Sequence, residues 1–158
     1  MTDVPSPPAP PPSGFAVNAQ YIRDLSFEGP AHPKDVQSNE PPKIDVNVTA
    51  QTRSIDAAMF EVSLNVRAQA LVAGKNAFLV ELAYAAVITP PPGLSEENLR
   101  YLTLAEVPRY LFPFARAIVA NTTREGGFPP LLLQPIDFNA LYQNQMRAAD
   151  ISKAAGTA

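Results

Sequence analysis

The sequence predicts an α+β domain in which strands come first and helices after. Three observations carry this. Between Phe15 and Ile88, apolar residues recur at every second position in four separate runs. From Ser95 to Arg124, and again after Asp137, they recur at three- and four-residue spacing. Pro90-Pro91-Pro92-Gly93 separates the two regimes and stops a strand. A chain of 158 residues is one domain's worth. At that size roughly two-thirds of the extended surface is buried on folding.

The elements follow in order. Residues 1–14, MTDVPSPPAPPPSG, read as an extended, disordered Pro-rich tail. With Asp3 and no Lys or Arg, this stretch does not read as a signal peptide. A single domain is expected over 15–150 and a flexible tail over 151–158. In the first strand Phe15, Val17, Ala19, Tyr21, Leu25 and Phe27 share one parity, and Asn18, Gln20, Asp24, Ser26 and Glu28 the other. Ile22 and Arg23 break the alternation and mark a bulge. Gly29 to Pro42 holds four prolines and is too long for a hairpin, so a crossover is expected between the first two strands.

Ile44, Val46, Val48 and Ala50 make the second strand, and Phe60 to Ala70 the third. Ala73-Gly74-Lys75-Asn76 is turn chemistry that joins the third strand to a fourth, Phe78 to Ile88, as a hairpin. That fourth strand is apolar on both faces, with Glu81 its sole charge. Four strands cannot hide that much apolar surface alone, so helices, other chains or a partner must cover the rest. Ser95 is the expected N-cap of a helix running to Arg124, with breaks or kinks near Pro108 and Pro113. Gly126-Gly127 ends it. Phe128 to Pro135 is an apolar, proline-pinned loop whose Leu131, Leu132 and Leu133 need something to pack on. Asp137 caps a last helix, Phe138 to about Ala149, with Phe138, Leu141, Tyr142 and Gln145 facing inward.

Composition removes most chemistries. Twelve basic and fifteen acidic residues give a net charge of −3, which argues against nucleic acid as a partner. With no cysteine, disulfides and thiolate zinc sites are excluded, and His32 alone cannot make a two-histidine metal site. Gly74-Lys75 lacks the rest of a P-loop. Asp24 and Glu28 would stand roughly 13 Å apart on one strand, too far for a catalytic carboxylate pair. No apolar run is long enough for membrane insertion. The expectation is a soluble cytoplasmic protein that is not an enzyme and takes no cofactor. What the chain offers is an acidic stripe and several apolar surfaces. A binding module for one fixed, folded protein partner is an alternative reading of those surfaces.

Three stretches together carry a family resemblance. They are YIRDLSFEGP (residues 21–30), LFPFAR (111–116) and GGFPPLLLQPIDFNALY (126–142). In this order and at these spacings the chain resembles the bacterial protein-export chaperone family SecB over about residues 15–147. The resemblance implies a four-stranded antiparallel sheet with helices packed on one face, assembled as a dimer of dimers. It implies an ATP-independent chaperone that binds unfolded precursor proteins and delivers them to the export motor SecA. By position it implies SecA binding through Asp24, Glu28, Leu79 and Glu81. It implies a client-binding groove of Val36, Ile44, Val46, Val48, Leu141 and Tyr142, and a tetramer interface that includes Val80, Leu82 and Tyr84. The crossover loop departs from the family pattern, with Glu40 where a tryptophan is common and Val36 in place of a bulkier aromatic.

Overall fold

A computed structural model of the chain describes residues 14–156. The Pro-rich stretch therefore lies, save for Gly14, outside the described residues. Four strands, β1 (Ala16–Glu28), β2 (Lys43–Ser54), β3 (Phe60–Val72) and β4 (Lys75–Thr89), form one sheet of order β1-β4-β3-β2. Every neighbouring pair is antiparallel. The β3–β4 hairpin turns on Ala73 (φ 50°) and Gly74 (φ 77°). Two successive positive φ values match the right-handed twist of the flanking strands. The β2–β3 connection is held by Asp56, whose Oδ1 accepts from the N–H groups of Ala58 and Met59 at 2.8 Å each.

β1 and β2 lie on opposite edges, so the 29–42 segment crosses the sheet as expected. A short 3₁₀ turn, Pro33–Val36, sits within it and packs Val36 against the core. The bulge expected at Arg23 is present, and a second falls at Asn18. Each bulge reverses the facing of the residues that follow. Between them Gln20 and Ile22 oppose Ala86 and Tyr84, while Ala19 and Tyr21 oppose Val87 and Ala85. The single apolar parity read from Phe15 to Phe27 is therefore wrong for Ala19 and Tyr21, which turn to the other side.

Helices cover one face of the sheet. Ser95 Oγ accepts from Asn98 N at 3.1 Å and starts α1 (Glu96–Tyr101). A π turn (Leu102–Glu106) leads into α2 (Val107–Glu125) without interruption. The chain stays helical through Pro108 and Pro113, and the irregularity expected near Pro108 takes the form of the π turn. Ahead of Pro108 the backbone widens, with Val107 N–H donating to Leu102 O five residues back. The extra residue in that turn gives the proline ring room against the preceding carbonyls. At Pro113 the helix forgoes one hydrogen bond and continues, held by the packing of its buried face.

That face is Leu111, Ala115 and Val119, all fully buried over β3 and β4. Below them lie Val62, Leu64, Val66, Val80, Leu82 and Ile88. Val80, Leu82 and Tyr84, expected at a contact between copies, lie beneath this layer within one chain. At 0%, 3% and 8% exposure they already belong to the core of a single chain. Tyr84 stacks on Phe114 at 6.0 Å, and its hydroxyl accepts from Gln20 Nε2 at 2.7 Å.

After α2 the chain turns at Gly126, where a Cβ would stand 2.2 Å from Cζ of Phe27. Close approach, rather than backbone conformation, requires glycine there. Phe27, Phe78 and Phe128 form a three-ring cluster beside it. Thr123 Oγ1 accepts from Leu131 N at 2.9 Å, and Arg116 Nε donates to Leu133 O at 2.9 Å, so α2 holds the following loop at two points. Asp137 Oδ1 caps α3 (Phe138–Ala155) through Ala140 N. Phe138 is buried and Leu141, Tyr142 and Gln145 half-buried, as the inward stripe required. The helix continues past the expected end at Ala149.

Candidate functional site: an apolar groove and an opposite polar face

Antiparallel register puts Ile44, Val46 and Val48 on the helix side of β2, opposite Ala70, Ala68 and Val66. α2 packs mainly over β3 and β4, and the π turn makes the main helical contact with β2. The outer apolar residues of this edge are thus left uncovered, with Ile44 39% and Val46 41% exposed. Facing them is the proline-pinned loop, whose Leu131, Leu132, Leu133 and Ile136 form the opposite wall, with Leu141 of α3 behind. The space between is an apolar groove of about 570 Å³.

Four of the six expected groove residues line it: Ile44, Val46, Val48 and Leu141. Two do not. The 3₁₀ turn directs Val36 onto the core, and Tyr142 packs edge-to-face on Tyr101 at 5.4 Å. The loop wall itself was missing from the expected set. Its signal was present in the sequence, as an apolar loop in need of a packing partner. The need is only partly met: Leu133 is buried, while Leu132 is 53% exposed into the groove.

Among the described residues no helix packs on the other face of the sheet, which is largely polar outside β4. Asp24, Ser26 and Glu28 of β1 stand opposite Ala83, Glu81 and Leu79 of β4. Asp24, Glu28, Leu79 and Glu81, expected together, do share one face and lie on adjacent strands. The stripe is not purely acidic, because Arg67 Nε lies 3.4 Å from Glu81 Oε1. Both side chains are half-exposed, so this pair contributes little to stability.

Farther along the same face is a cluster that the strand parity concealed. Glu61 is 5% exposed and holds Arg23 and Arg53 at 3.2 Å each. The Tyr21 hydroxyl also donates to Glu61. Removal from water, reinforced by that hydrogen bond and by the negative charge of Glu61, pushes the Tyr21 hydroxyl above its ordinary value. Tyr21 and Arg23 reach Glu61 because of the two bulges, which a uniform alternation cannot reveal. His32 stays exposed and caps the 3₁₀ turn, its Nδ1 accepting from Lys34 N at 3.2 Å. Among the described residues no helix is long and apolar enough to cross a membrane.

This geometry agrees with comparisons to known proteins. Residues 9–149 match the family model described as preprotein translocase subunit SecB. A protein-export protein SecB from Rhodospirillum centenum is 47% identical over 84% of this chain and 79% of its own length. Its counterpart from Rhodospirillum rubrum is 42% identical over 100% of this chain and 98% of its own. That from Paramagnetospirillum magneticum is 45% identical over 100% of both. Among solved structures, a SecB-like chaperone from Mycobacterium tuberculosis, in complex with a ChAD peptide from an antitoxin, shares the fold with a TM-score of 0.66. It is 16% identical, and the match covers 78% of this chain and 91% of that one. The chain belongs to the SecB family of protein-export chaperones.

Proposed function

We propose that this chain is an ATP-independent holdase that binds unfolded precursor proteins in the cytoplasm, keeps them competent for translocation and delivers them to SecA. The observation that carries the reading is the open apolar groove between β2 and the 131–136 loop. An unfolded polypeptide presents apolar side chains along an extended backbone. A groove walled by leucines and prolines offers many weak contacts without requiring one sequence. Release then falls to the partner that receives the client. The acidic face is proposed as the SecA surface, through Asp24, Glu28, Leu79 and Glu81. It lies across the sheet from the groove, so client and motor can be held together.

The working form is proposed to be a homotetramer, a dimer of dimers. Val80, Leu82 and Tyr84 are spent on the core of one chain. The surface left for assembly is at the β1 edge, where Val17, Ile22 and Leu25 are 37%, 48% and 39% exposed. Tyr110 and Phe114 on the outer side of α2 are each 42% exposed.

The test presents the purified protein with a panel of proteins in both denatured and native forms. Capture of denatured chains and suppression of their aggregation, with indifference to the native forms, is expected. Preference for one native protein would overturn the reading. In the same assay the triple variant Asp24→Lys, Glu28→Lys, Glu81→Lys should lose SecA binding and retain client capture. Equal loss of both in a folded variant would refute the separation of the two faces.

A further inference from the structure

The face proposed for SecA has two ends of opposite charge. β3 lays them out, because Glu61 and Arg67 stand six residues apart on that face, about 20 Å at ~3.3 Å per residue. Register places Arg53 of β2 beside Glu61, and Glu81 of β4 beside Arg67. A hollow marks each end. The first, of about 360 Å³, is lined by Asp24, Asp45, Glu81 and Arg67. Three carboxylates against one guanidinium leave it at −2. Arg67 is taken by Glu81, and among the described residues neither Asp24 nor Asp45 takes part in an ion pair.

The second hollow, of about 460 Å³, is lined by Arg23, Arg53, Glu61, Gln51 and Ser63. Its charge is the reverse, two guanidiniums against one carboxylate. Glu61 is buried and fully committed, with Oε1 shared by both arginines and Oε2 accepting from the Tyr21 hydroxyl. The arginines are not. Each gives one nitrogen to that shared oxygen, and the Arg53 side chain is 62% exposed. A guanidinium carries five N–H donors, so most of its capacity remains for a further acceptor. One buried carboxylate thus holds two like charges side by side, an arrangement that a second carboxylate can bridge.

We infer that this docking face is bipolar: SecA sets basic groups over Asp24, Asp45 and Glu81 and a carboxylate over Arg23 and Arg53, and the second contact fixes its orientation. The inference rests on the SecA reading above and deepens it. Basic groups alone satisfy the acidic hollow whichever way the partner is turned about the sheet normal. A carboxylate seated about 20 Å away along β3 permits one orientation. Arg23 and Arg53 are then specificity-determining residues of the same surface.

The experiment makes the same charge change at both ends of the face in the full protein. Arg67→Gln and Arg53→Gln each remove one positive charge, and anisotropy titration against labelled SecA reads the dissociation constants. Arg67→Gln should tighten binding and Arg53→Gln weaken it, each by about two- to fivefold, the range of an exposed ion pair, with both effects fading in added salt. Gln51→Lys adds a charge to the second hollow while keeping Arg23, Arg53 and Glu61, and should tighten binding. Capture of a denatured client and mass by light scattering should stay unchanged in all three variants. A face that only attracts cations predicts the opposite sign for Arg53→Gln and Gln51→Lys. Tighter or unaltered SecA binding in Arg53→Gln, or no gain in Gln51→Lys, therefore overturns the inference and leaves the acidic surface standing. Parallel loss of client capture or of mass in Arg53→Gln would assign Arg53 to the fold and also overturn it. Absence of SecA binding by the unaltered protein overturns the SecA reading, and this inference with it.

Discussion

The two edges of the sheet end in opposite ways, although both leave apolar residues uncovered on the helix side. At the β2 edge Ile44 and Val46 face a wall of leucines across a gap, and the surface is concave. At the β1 edge Val17, Ile22 and Leu25 continue toward Tyr110 and Phe114 of α2, with ring contacts from Phe15 to Tyr110 and from Tyr110 to Phe114. α2 comes near there, its Tyr110 ring meeting Phe15 edge-on. One helix covers the middle of a four-stranded sheet, so both flanks stay apolar. What makes one edge concave and leaves the other open is the Pro-pinned loop, which stands across from β2.

Four perturbations test that contrast, beginning with the largest. Ile44→Asp with Val46→Asp places two carboxylates on the groove floor at sites half-exposed in the free protein. Client affinity should fall by more than tenfold with the fold retained, since desolvating a carboxylate on binding costs more than the about 1–3 kcal/mol of a neutral polar group. Titration against a denatured client measures it, and mass by light scattering should not change. Gly126→Ala comes next. The added methyl overlaps the Phe27 ring, and overpacking of this kind costs about 1–3 kcal/mol. Phe27 sits on β1 while Gly126 opens the loop that walls the groove, so this variant joins the two edges. Denaturant midpoint and client affinity should drop together. If stability falls while affinity does not, the loop is not what makes the β2 edge concave.

Tyr110→Ser with Phe114→Ser should do the converse of the groove variant, lowering the assembled mass at dilute concentration and sparing affinity per chain. If each pair of substitutions moved both readouts equally, the distinction between the edges would be lost. The smallest effect lies on the polar face. The folded state holds the Tyr21 proton more tightly than the unfolded chain does. The stabilisation is therefore complete below the ordinary tyrosine value near 10 and is lost as pH rises through the raised folded value. Tyr21→Phe should flatten that alkaline decline, read as denaturant midpoint against pH, and leave both edges unaffected.

Much of this was legible in the chain. Strands β2 and β3 show alternation, β4 reads as an apolar run bounded by turn residues, and the hairpin turn at Ala73-Gly74 is legible directly. Ser95 and Asp137 cap the helices assigned to them, because capping is a local matter between one side chain and a nearby N–H. Where reading failed, a distant contact had overruled a local rule. Pro108 and Pro113 are helix breakers by themselves, but a widened turn and the buried stripe of α2 keep the helix whole. Tyr21 counts as core by alternation, yet two bulges carry it to Glu61. Val36 and Tyr142, assigned to the groove by position, do not line the space beside β2; Val36 packs on the core and Tyr142 on Tyr101.

By itself, then, the sequence determined the order of elements, their caps and turns, and the excess of apolar surface over what one helix layer can cover. These depend on neighbours a few residues apart, whose spacing is written in the chain. Only the tertiary structure decided where that excess would be left. Strand order sent β1 and β2 to opposite edges, Thr123 and Arg116 fastened the leucine loop beside one of them, and α2 took Val80 and Leu82 for the core. Such outcomes turn on which surfaces are near enough to exclude water, and that distance exists only once the chain has folded.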